Sequence, residues 1–157
     1  MTFTPGRKTY HHGDLRRALI TEARAQLADT GPGDVTLRAV ATAVGVSPAA
    51  CYRHFADKED LLAAVAAEGF DELTAIAVRV RAEGPPGIRT LHRMTCAYIE
   101  FAVSEQALYR LMRGAMFGDR TRHAALVDAE RRLRAEAEAA LRTAREAGEI
   151  ADLPIED

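Results

Sequence analysis

Val46-Ser47-Pro48-Ala49-Ala50-Cys51-Tyr52-Arg53-His54-Phe55-Ala56-Asp57-Lys58 is the stretch on which the reading of this chain turns. Ser47 can cap a helix, and Pro48 suits a first helical turn, where its missing N–H would have no partner anyway. The helix they start is expected to end near Phe55, with Asp57 capping the next one. Just upstream, Thr36 opens a helix with Leu37, Val40, Ala41 and Val44 as its buried stripe. Gly45 closes that helix, where a left-handed conformation is cheap for glycine. Ala41 lies four residues earlier, and its small side chain lets two helices approach. Short helices around a tight glycine turn make a helix-turn-helix, which points to DNA as a ligand.

The elements on either side are also helical. Leu15, Ala18, Leu19, Ala23 and Leu27 recur at three-to-four spacing, predicting a helix from about 13 to 29 that Thr30-Gly31-Pro32-Gly33 stops. A longer helix runs from 58 to about 81, with Leu61, Leu62, Val65, Phe70, Leu73, Ile76 and Val80 inward. Glu83-Gly84-Pro85-Pro86-Gly87 is the strongest breaker in the chain. Further helices are expected over 88–104, 107–112 and 122–147, with a looser stretch over 114–120. The fold class is therefore all-α. Residues 1–57 form an N-terminal arm and a three-helix DNA-binding domain. Residues 58–157 form a helical regulatory domain that begins with a linking helix, 58–82.

Composition agrees with this. The 157 residues are 48% hydrophobic and contain no Trp. The net charge of −2 hides an asymmetry: residues 1–58 carry eight Lys/Arg against five acids, and residues 59–157 carry 13 against 18. A basic first third on an acidic body suits a DNA-contacting head. No apolar run is long enough to span a bilayer, and no signal peptide is visible. Cys51 and Cys96 lack metal-type spacing, so a reduced, cytoplasmic compartment is the simplest expectation. His11-His12 has no third ligand at suitable spacing, and neither a metal nor a cofactor is expected. HExxH, GxSxG and a phosphate-binding glycine loop are all absent, which argues against an enzyme.

Within the helix-turn-helix, Tyr52, His54 and Lys58 offer polar groups to one backbone strand. Thr36 and Ser47 sit at helix N-termini, where hydroxyls and free N–H groups attract phosphate. Pro48, Ala49 and Ala50 occupy the tip and donate no side-chain hydrogen bonds, although they can touch thymine methyls. Arg38 and Arg53 are the long donors nearby and the candidates for guanine contacts. Cys51 reads as a small buried hydrophobe. Met94, Tyr98, Phe101, Tyr109, Met112, Met116 and Phe117 form an aromatic and methionine set at helical spacing. It reads equally well as the lining of a ligand pocket and as ordinary core.

Residues 10–73 resemble the N-terminal domain of the TetR family of transcriptional regulators. The resemblance rests on Tyr10-His11-His12-Gly13-Asp14-Leu15-Arg16, Thr36-Leu37-Arg38-Ala39-Val40-Ala41, Val44-Gly45-Val46-Ser47, Tyr52-Arg53-His54-Phe55 and Asp57-Lys58-Glu59-Asp60-Leu61-Leu62, in order and spacing. It implies DNA contacts at Thr36, Ser47, Pro48 to Ala50, Tyr52, His54 and Lys58. Ala97–Ala102 and Ala107–Met112 are similar to the subfamily whose C-terminal domain usually carries a Trp-His-Gly motif, which this Trp-free chain lacks. The resemblance implies a repressor that binds double-stranded operator DNA as a homodimer and is released by a small-molecule effector. The family would continue into two more helices that form the dimer interface. The chain is therefore expected to be truncated at its C-terminal end, and its visible C-terminus does not support dimerisation. The alternative is a helical binding or scaffold protein without sequence-specific DNA binding.

Overall fold

The computed structural model describes residues 12–150, with side chains from Leu15 onward. The N-terminal arm, His11 and the apolar end at Leu153 and Ile155 lie outside the described residues. Among the described residues seven α-helices follow in order: α1 His12–Thr30, α2 Leu37–Val44, α3 Pro48–Cys51, α4 Lys58–Ala82, α5 Ile88–Ser104, α6 Gln106–Arg113 and α7 Ala124–Glu146, with a 3-10 turn over Arg120–Arg122 before α7. There is no strand among the described residues. These bounds agree with the sequence reading within a few residues, except at α3.

The helix-turn-helix is shaped by its caps. The Thr36 hydroxyl accepts from the N–H of Ala39 at 3.1 Å and opens α2. Gly45 closes α2 with φ 79° and ψ 29°. Its N–H donates to Thr42 O, and that of Val46 donates to Ala41 O. This paired pattern satisfies the last carbonyls of α2 and requires a left-handed residue at position 45. Two residues on, the Ser47 hydroxyl accepts from Ala50 N and starts α3 at Pro48. Asp57 then accepts from Asp60 N at 2.8 Å, while the Asp60 carboxylate reaches back to Ala56 N at 3.1 Å. The two carboxylates form a reciprocal cap like the capping box.

The third helix is shorter than its sequence predicts. Regular α-structure ends at Cys51, not near Phe55. Cys51 O accepts from both His54 N and Phe55 N. The chain therefore tightens into a turn that drives the Phe55 ring inward, where it is almost wholly buried.

One continuous core joins the two halves. Leu19, Ile20, Leu27, Val35, Val40 and Leu61 fill the head. Along α4 it runs through Val65, Phe70 and Leu73 to Leu108 and Met112 of α6 and Leu126 of α7. α4 and α7 run parallel. His123, just before α7, meets Glu59 at the start of α4, and Arg132 pairs with Asp71 further along. At the far end, a carboxylate oxygen of Glu149 accepts from Ile88 N and so caps α5 from across the chain. Gly87 permits this: its φ is 107°, and a Cβ there would lie 2.0 Å from that oxygen.

Candidate nucleic-acid interface

The side chains expected to meet DNA are mostly open to solvent. Thr36, Arg38, Ser47, Pro48, Ala49, Tyr52 and Arg53 are exposed, while Ala50, His54 and Lys58 are half-buried. Tyr52 is 59% exposed, far more than packing would leave an aromatic ring. The Thr36 and Ser47 hydroxyls each spend an acceptor lone pair on a helix cap. A hydroxyl has one proton to give and two lone pairs to receive with. Capping therefore leaves both O–H donors available to phosphate oxygens. Lys58 donates to Gly33 O at 2.6 Å, fastening the start of α4 to the loop before α2. An ammonium carries three protons, so two remain for other acceptors.

The residues between them are packed inward. Cys51 is fully buried, and burial pushes its thiol pKa up, away from the reactive thiolate. The Arg16 guanidinium lies over the Phe55 ring, 5.2 Å from its centroid.

Sequence reasoning missed two polar clusters: one ties the head to the rest, and the other ties the start of α4 to the start of α7. Arg24 of α1 donates to Glu72 of α4 and, at 3.1 Å, to Glu105 at the junction of α5 and α6. The Glu72 hydrogen bond first, and the Glu105 bond and both negative charges beside it, hold the Arg24 guanidinium further above its ordinary pKa. His123, largely buried and edge-on to Phe117, sits 3.2 Å from Glu59 and 3.7 Å from Asp60. These pairs span 48 to 81 residues of sequence in the first cluster and more than 60 in the second, so no local pattern reveals them.

The seven candidate pocket residues separate. A groove of about 520 Å³ lies between α4, α5 and α7, and Met94 and Tyr98 line it. Phe101, Met112 and Phe117 are buried in the core, and Met116 is 37% exposed. Tyr109 does not line the groove but accepts a hydrogen bond from the Tyr98 hydroxyl at 3.2 Å, with the two rings edge to face. Leu73, Leu91 and Leu133 add lining that the sequence did not single out.

Comparison with known proteins fits this geometry. Residues 19–65 match the pattern of the bacterial regulatory proteins of the tetR family. The chain is 35% identical over 69 residues to an HTH-type transcriptional repressor of Mycobacterium tuberculosis, a match covering 44% of this chain and only 37% of the repressor's own length. A solved protein of unknown function from Rhodococcus sp. RHA1 is 32% identical, with a TM-score of 0.80 over 94% of this chain and 76% of that one. A TetR family transcriptional regulator from Thermus thermophilus shares the fold at 20% identity, with a TM-score of 0.66 over 86% of this chain and 74% of that one.

Proposed function

The chain belongs to the tetR family of bacterial regulatory proteins, and from that premise we propose that it is a ligand-responsive transcriptional repressor that binds operator DNA as a homodimer. The family is one of DNA-binding regulators rather than enzymes. In this reading residues 1–57 contact DNA in the cytoplasm, and residues 58–157 receive a small-molecule effector that releases the operator.

The observation that carries the reading is the pair of cap hydroxyls at Thr36 and Ser47, exposed and each with a proton left to donate. They flank the α3 tip at two helix N-termini, where the backbone dipoles also favour an anion. Tyr52 and Lys58 extend the same phosphate-facing surface. Arg38 and Arg53 are the proposed guanine readers, and the Pro48-Ala49-Ala50 tip contributes methyl contacts and close approach. The Arg24 cluster supports the effector response, because it joins the head to α4 and to the end of α5, two helices that border the groove.

A second reading, a helical binding or scaffold protein, draws on one feature: the α3 tip carries no side-chain donor. A salt titration separates the two. The chain is offered a pool of random double-stranded DNA, and the affinity of selected fragments is followed by anisotropy between about 50 and 200 mM salt. A repressor head that neutralises several phosphates loses affinity steeply over that range, with a log–log slope of about −0.9 per phosphate contacted. A flat response, or no selected sequence, favours the scaffold. Arg53→Ala is expected to relax sequence preference by about 1–3 kcal/mol at one base pair.

A further inference from the structure

We propose that the groove between α4, α5 and α7 takes an elongated amphipathic monoanion, apolar along most of its length and with its charged end toward the DNA-reading head. The proposal rests on the effector-responsive reading above and names the chemical class of the effector.

The groove has two unlike ends. Because α4 and α7 run parallel, low residue numbers on both mark the end nearer the head. α5 runs the other way, since its start lies against Glu149. The far end is therefore built by Ala77, Leu91 and Leu141, and no charged side chain lines it. The end nearer the head holds Phe70 and Tyr98 together with Arg113 and Glu130, with Arg134 one helical turn along. From Glu130 to Leu141 the α7 wall runs about 16 Å at roughly 1.5 Å per residue. A volume of about 520 Å³ over that length suits a slender molecule better than a compact one.

Charge decides the sign of the head group. Glu130 is already answered by Arg120 at 3.3 Å and by Arg113 at 3.9 Å. Arg134 has no carboxylate partner among the described residues. A cationic ligand would meet Arg134 and a carboxylate that is already neutralised. A neutral one would leave Arg134 unused. A carboxylate meets an unpaired guanidinium whose planar fork matches its two oxygens.

Calorimetry on the full chain tests this with four probes: decanoate, 1-decanol, decylammonium and butyrate. Decanoate is expected to bind tightest, with decylammonium and butyrate each weaker by at least about tenfold, the weight of one charge-assisted contact or of a lost apolar chain. Arg134→Gln should weaken decanoate about tenfold and leave 1-decanol unchanged, and Ala137→Phe should abolish both by filling the groove. Circular dichroism confirms that both variants remain folded. Decylammonium binding as well as decanoate overturns the proposal, as does an Arg134→Gln variant that binds decanoate normally. So does failure of decanoate to bind a chain that still holds its operator, an outcome that leaves the repressor reading standing. Loss of operator binding alone would sink that reading and not this one.

Discussion

α2, α3 and α4 each begin on a side chain, Thr36, Ser47 or Asp57, that accepts from a backbone N–H three residues on. α5, α6 and α7 begin without such a cap. Burial differs in the same way. The head encloses Leu19, Leu27, Val35 and Val40 almost completely, whereas α5 turns Ile99 and Val103 outward, 54% and 64% exposed. The head is therefore defined by residues close in sequence. The C-terminal half depends on long-range ties such as Glu149 to Ile88 and His123 to Glu59. Short-range caps fix local geometry, while long-range ties are the ones the proposed effector could redistribute. That division suits a rigid reader joined to an adjustable body.

The comparison is most exposed to failure at Phe55. Phe55→Ala removes a fully buried ring from the head and is expected to cost about 3–5 kcal/mol in urea unfolding. A loss below about 1 kcal/mol would mean the head is not tightly packed. Thr36→Ala comes next, at about 1 kcal/mol for a lost cap, with weaker DNA binding alongside. Arg24→Ala tests the junction. Its pairs with Glu72 and Glu105 are partly exposed, so thermal unfolding should show a loss of under about 1 kcal/mol that shrinks with added salt.

The smallest effect has the opposite sign. Burial, opposed by the nearby Arg24 charge, holds the Glu68 carboxyl above its ordinary pKa. Ionising it therefore costs the folded state. That cost is absent below the unfolded pKa and is fully present once pH has risen through the folded value. Glu68→Gln should raise the Tm by about 1–2 °C at neutral pH and match the parent in acid, as scanning calorimetry can check. An equal shift at both pH values would rule out burial of the charge as its cause.

How much of the molecule can be read from the sequence follows the same division. Caps, glycine stops and apolar spacing act within a few residues, so the helices and the helix-turn-helix surface are legible from Thr36 to Lys58. The α3 end is not, because Tyr52, Arg53 and His54 are all compatible with helix. The turn there is made by Cys51 O accepting twice. The groove is legible only at Met94 and Tyr98. Its other walls come from α4 and α7, and periodicity cannot say which face of a helix meets which neighbour. The Arg24 and His123 clusters join polar side chains that look in sequence like parts of ordinary solvated faces.

The cap hydroxyls at Thr36 and Ser47 have a genetic consequence. One oxygen serves the fold with its lone pair and the proposed operator with its proton, so most substitutions impair both. Aspartate separates the two roles, because it caps a helix as well as serine does but has no proton to give and brings a negative charge toward phosphate. A lineage that abandoned its operator while keeping its fold could do so by one residue replacement at Ser47, and such a homologue would be recognisable by an acidic residue at that position.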